Sequence, residues 1–124
     1  MNDSRLWALV LIFGCAVAGS ISAHGQTLRC QIDLKHQCNA GSGCQRVQPT
    51  IWNFIDLTEQ TISRCDAKGC DTYPARFSVS GAFINIALPE RGMMAKLKSD
   101  GGSFTEVATL ADATLISFGA CRRQ

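Results

Sequence analysis

The chain has 124 residues, 46% of them hydrophobic and 18% charged, and its 12 Lys and Arg against 10 Asp and Glu leave a net charge of +2. That length provides for one domain. The near-balanced charge argues against a nucleic-acid partner, whose surface needs clustered Lys and Arg; the one basic doublet, Arg122-Arg123, reads as a frayed, solvated terminus.

The first five residues carry the α-amine and Arg5 against Asp3. Residues 6–18, LWALVLIFGCAVA, then form an uncharged apolar run of thirteen. A membrane span needs about 20 such residues, so this run fits the h-region of a signal peptide. The polar stretch GSISA follows, and small Ala23 precedes His24. The reading is a signal peptide over 1–23 and a mature domain over 24–124, in the periplasm or outside the cell, with membrane contact only through the cleaved leader. Cleavage after Ala18 is an alternative. Lipidation at Cys15 is another, although it would put bulky Phe13 where a small residue is usual. A retained N-terminal anchor is a third.

Removing the leader also removes Cys15, so seven cysteines become six: Cys30, Cys38, Cys44, Cys65, Cys70 and Cys121. An even count in an exported chain predicts a disulfide framework. Zinc would have to use Cys30, His36, Cys38 and Cys44, whose C-x5-H-x-C-x5-C spacing matches no common zinc pattern, and Cys-x-x-Cys is absent. Neither a metal nor another cofactor is expected. Six cysteines allow fifteen pairings. Loop geometry favours Cys38–Cys44 across NAGSG and Cys65–Cys70 across the turn DAKG. Cys30–Cys121 would then join the first strand to the last.

Along the mature chain, Leu28, Cys30, Ile32 and Leu34 alternate with Arg29, Gln31, Asp33 and Lys35, the period of a half-buried strand. Residues 51–57 (IWNFIDL) are aromatic and β-branched. Further strands are expected at 61–65, 76–80, 82–88, 93–98, 103–110 and 113–121. The turn signals PERG, SDGG and Ala111-Asp112 punctuate them, and Asp-Gly between strand-like runs is a strong hairpin cue. The alanines and leucines of 104–116 allow a helical reading, but Thr105, Val107, Thr109 and Thr114 weigh against it. About eight short strands with short connections predict an all-β domain. The expected form is a small antiparallel up-and-down barrel with three disulfides, closed by its first and last strands. A β-sandwich is the alternative.

Catalytic chemistry finds few candidates. His36 lacks an orienting partner, since Asp33 three residues earlier falls on the opposite strand face. Ser42 in Gly41-Ser42-Gly43 lacks the strand–serine–helix context of a nucleophile elbow. Asp66 and Asp71 do not fit a calcium loop. The chain is therefore read as not an enzyme.

Two segments carry a binding hypothesis. In ERGMMAK, one of Met93 and Met94 must face the core and the other the exterior; alternation sends Met93, Ala95 and Leu97 inward and Met94, Lys96 and Lys98 outward. Flexible methionines suit adaptable contact surfaces. The other segment is Ser80-Gly81-Ala82-Phe83 followed by Lys96, with Val79 expected inside and Ser80 outside; more simply, Ser80-Gly81 is a strand break or bulge. Over residues 79–98 and the final Cys121 the chain resembles the periplasmic inhibitors of C-type lysozyme. That resemblance implies an eight-stranded barrel that inserts a Ser-Gly segment and a following lysine into the enzyme's cleft. As a whole the chain resembles uncharacterised exported cysteine-rich proteins of Gram-negative bacteria, which implies a compartment and no activity. The expected function is a non-enzymatic binding protein with an extracellular or periplasmic protein as partner, an inhibitor of a cell-wall-degrading enzyme, with Ser80, Met94 and Lys96 as binding residues. The alternative is a structural or envelope-interaction protein without a discrete ligand site.

Overall fold

The computed structural model describes residues 27–124. The expected leader, its cleavage before His24 or after Ala18, and the lipidation alternative at Cys15 lie outside the described residues.

Ten strands form one antiparallel sheet: β1 (Thr27–Asn39), β2 (Gly43–Val47), β3 (Trp52–Asp56), β4 (Thr61–Asp66), β5 (Gly69–Pro74), β6 (Arg76–Ser80), β7 (Phe83–Leu88), β8 (Met93–Lys98), β9 (Phe104–Thr109) and β10 (Ala113–Arg123). Their lateral order is β5-β4-β3-β1-β10-β9-β8-β7-β6, with β2 paired to the far half of β1. The sheet curls into a nearly closed barrel, and its first and last strands pair as expected. Successive neighbours are antiparallel, so the end strands β5 and β6 run in the same sense, and only Ala75 separates them along the chain. They act as one strand bent at Ala75, its first half held by β4 and its second by β7. The backbone itself thus spans the seam, with Ala75 N–H donating to the Gln60 carbonyl at 3.0 Å.

All eight expected strands are present, and β2 and β5 are additional. The glycines of 39–44 concealed β2: the loop is only Ala40–Ser42, and Cys44 lies in a strand opposite Cys38. The composition of β5, GCDTYP, is poor in β-formers, and Pro74 is tolerated because β5 ends the sheet path. The DAKG turn before it is tied by Asp66 Oδ1, which accepts from the backbone N–H groups of Lys68 and Gly69 at 2.8 and 3.2 Å. The PERG segment is a single 3-10 turn, Pro89–Arg91, ended by Gly92 at φ +58°.

The three disulfides pair as the geometry suggested: Cys30–Cys121, Cys38–Cys44 and Cys65–Cys70. Each joins residues that face one another directly across two strands. Each bridge therefore fixes a register as well as a loop, which matters because a one-residue slip would turn every side chain to the wrong face.

The barrel is filled by Leu28, Ile32, Ile55, Ile62, Ile86, Leu88, Met93, Ala95, Leu97 and Phe104 with the Cys30–Cys121 bridge. Two expected core positions differ. The alternation of β1 breaks at a register shift between Ile32 and Leu34, so Leu34 pairs with Phe118 on the outer face instead of joining the core. Gly119 lies opposite Ile32 at this irregularity, and a Cβ there would fall on the Gln31 carbonyl oxygen. Val79 shares the inner side of the sheet with Leu97 by register but is 77% exposed. It sits near the end of β6, which closes the sheet path and is paired on one side only, by β7. The basic doublet also departs from expectation. β10 runs through Arg123, Arg122 pairs with Arg29, and Gln124 N–H donates to the Thr27 carbonyl at 3.0 Å, so this end of the chain is held in the sheet.

Candidate functional site

The pairing registers place Ser80, Met94 and Lys96 on the outer face of the barrel. One row of directly facing residues runs across six strands: His36, Ile116, Val107, Met94, Ala87 and Arg76. The next row runs Leu34, Phe118, Thr105, Lys96, Asn85 and Ser78, and a third pairs Lys98, Phe83 and Ser80. Met93, Ala95 and Leu97 are buried and Met94, Lys96 and Lys98 exposed, as alternation required.

Lys96 and Ser80 are two strands apart and offset by one pair, roughly 12 Å between backbones at ~4.8 Å per strand and ~3.3 Å per residue. Phe83 lies between them. It pairs directly with Ser80, and the Lys96 Nζ sits 4.9 Å from its ring centroid. The ring limits where the ammonium can go while leaving it in solvent, a cation–π contact of the exposed kind. Ser80 itself ends β6 before a tight turn at Gly81, whose φ of +58° glycine adopts without strain.

The face is apolar and basic. Met94 is 65% exposed, Phe118 42% and Val107 38%. Arg76, Lys96 and Lys98 lie on the β6–β8 side of this face, and no Asp or Glu occupies an outward position of β6–β10, because Glu106 points inward. Among the described residues the one carboxylate within ion-pair reach of these cations is Asp100, 3.5 Å from Lys98 Nζ. The Gly102 backbone N–H donates to Asp100 Oδ1 at 2.7 Å and, with Lys98, holds that carboxyl below its ordinary range. Sequence reasoning found Met94 and Lys96 by alternation but passed over Val107 and Phe118. Their signal is present: Val107 sits between the outward threonines Thr105 and Thr109.

The interior holds a second polar group of residues that the sequence did not announce. Arg64 Nη1 lies 2.8 Å from Glu106 Oε2 and 2.7 Å from the Met93 sulfur, and Asn53 Nδ2 donates to the same Glu106 oxygen at 3.0 Å. Asn53 and Glu106 are buried, and the Asn53 Oδ1 has no partner. With its carboxylate committed to a guanidinium and an amide, Glu106 ties β3, β4 and β9 together. Ser117, also buried, faces Glu106 directly across β9 and β10.

His36 pairs with Ile116 on one side and Arg46 on the other, away from any carboxylate partner by register. Ser42 lies in the loop Ala40–Ser42. Among the described residues no group of three or more His, Cys, Asp or Glu could hold a metal ion, and no helix is long and apolar enough to cross a membrane. Three disulfides fit an oxidising compartment of the extracellular type. Comparison with protein-family models, with curated proteins and with solved structures returns no match for this chain.

Proposed function

We propose that the chain is an exported, non-enzymatic binding protein of the periplasm or cell exterior, and that it docks a partner protein through the outer face of β6–β10. The observation that carries this reading is Met94, 65% exposed beside Lys96, on a face without an outward carboxylate. Contiguous exposed apolar surface rimmed by polar groups marks contact sites, and methionine adapts its shape to a partner. The partner's matching surface carries carboxylates around an apolar centre. An enzyme cleft that works on cell-wall polymers with paired carboxylates has that chemistry, which keeps inhibition of a C-type lysozyme as the specific form of the proposal. Ser80, Met94 and Lys96, with Phe83 between Ser80 and Lys96, are then the contact residues.

The test is inhibition of C-type lysozyme by the purified, oxidised protein at micromolar concentration. Inhibition that is lost in Lys96→Ala and Met94→Asp supports the proposal. Unchanged lysozyme activity in the presence of wild-type protein ends the inhibitor reading.

A further inference from the structure

Arg29 and Arg122 face one another directly across β1 and β10. Like charges opposed in a sheet destabilise the pair, and Arg123 adds a third guanidinium one residue on. Among the described residues no carboxylate lies within ion-pair distance of any of the three. Arg29 lies beside two rings of β3, its guanidinium carbon 5.8 Å from the Trp52 centroid and 6.0 Å from the Phe54 centroid. The arginines line a concavity of about 470 Å³ with Gln31, Asp33, Ala120 and Gln124. That volume falls within the range of small-molecule sites.

We propose that this concavity binds a phosphate group carried on a hydroxyl-bearing molecule, a sugar phosphate in its simplest form. Guanidinium forks donate paired hydrogen bonds to phosphate oxygens, and a dianion between Arg29 and Arg122 turns their repulsion into a shared attraction. The Gln31 and Gln124 amides and the Asp33 carboxylate offer donors and acceptors suited to hydroxyl groups beside the phosphate. A bare anion leaves them unused. The site lies on the β1–β10 seam, so it stands independently of the role proposed for Lys96.

Titration of the full mature protein with a hexose 6-phosphate, followed by amide chemical shifts and thermal shift, tests the site. Wild-type protein should bind, and Arg122→Gln should weaken binding roughly tenfold, the loss expected for a charge-assisted hydrogen-bonding group. Free of ligand, Arg122→Gln should melt no lower than wild type, because it relieves the opposed charges; this separates a binding role from a structural one. Lys96→Ala should bind the phosphate like wild type. Inorganic phosphate should bind more weakly than the sugar phosphate. Phosphatidylcholine vesicles with and without phosphatidic acid distinguish the source: Arg122-dependent binding to the acidic vesicles alone places the same phosphate on a lipid headgroup. The proposal is overturned if no probe binds at about 10 mM, where even a weak single-site contact would register. It is equally overturned if Arg122→Gln and the Arg29→Gln/Arg122→Gln double variant bind as wild type does.

Discussion

Asn53 and Glu106 stand fifty-three residues apart in the chain and meet inside the barrel through a 3.0 Å hydrogen bond. The same Glu106 oxygen takes the Arg64 guanidinium, whose side chain is 20% exposed against 5% for Glu106. Replacing the carboxylate leaves an amide and a guanidinium facing an apolar interior. Glu106→Ala should therefore destabilise the fold by about 1–3 kcal/mol, the cost of stranding buried hydrogen-bonding groups. Urea unfolding measures it. Arg64→Met in the Glu106→Leu background should recover part of the loss, because removing both charges avoids the stranded one.

The disulfides differ in the length of chain they close. Cys30 and Cys121 are 91 residues apart, against separations of 6 and 5 for the hairpin bridges. Restricting a longer loop removes more entropy from the unfolded chain, so the paired Cys30→Ala/Cys121→Ala variant should lose the most, within the usual range of about 2–4 kcal/mol. Thiol titration of the denatured, unreduced mature protein should find no free thiol among the six cysteines. Two or more titratable thiols would contradict the framework.

What could be read from the residues follows from what each pattern encodes. Alternation in MMAKLK fixed the faces of β8 because both sides of that strand meet uniform surroundings, core on one side and solvent on the other. The same rule misplaced Leu34 because a register shift is a property of two strands, and β1 alone carries no sign of Gly119 opposite it. Val79 failed for a related reason. Its inward parity holds, but the wall ends beside it. The Arg29–Arg122 pairing is implicit in the expected Cys30–Cys121 bridge, because antiparallel strands joined there set the neighbouring residues face to face; reading Arg122-Arg123 as a frayed terminus concealed it.

Two glycines should tolerate no side chain. At Gly119 an added Cβ would overlap the Gln31 carbonyl oxygen, which belongs to backbone and cannot swing aside. At Gly92 it would meet the Thr109 carbonyl oxygen at 2.8 Å, on top of the left-handed φ of +58°. Gly119→Ala should force β1 and β10 apart beside the Cys30–Cys121 bridge, and its cost should exceed about 2 kcal/mol, the level reached by overpacking and strain. Gly92→Ala should cost about 1–3 kcal/mol, consistent with a non-glycine residue held in a sparsely populated backbone region. Denaturant midpoints of the two variants against wild type give both values. A Gly119→Ala protein as stable as wild type would contradict the close approach of these strands.

The outer face makes the opposite prediction, that substitutions leave the fold alone and change only recognition. Met94 faces Val107 and Ala87 across its strand and points into solvent over most of its surface. Met94→Asp therefore removes little packing and should shift stability by no more than about 0.5 kcal/mol, the usual bound for surface positions. It does place a carboxylate where no outward position of β6–β10 has one, two residues from Lys96 on the same face. A partner that presents carboxylates would meet repulsion there, so binding should fall further in Met94→Asp than in Met94→Ala. Raising the salt should weaken wild-type binding and narrow the gap between the two variants, as screening acts on exposed charges. Equal loss in both variants at every salt concentration would mean that Met94 acts by shape alone, and that the absence of carboxylates from this face has no part in recognition.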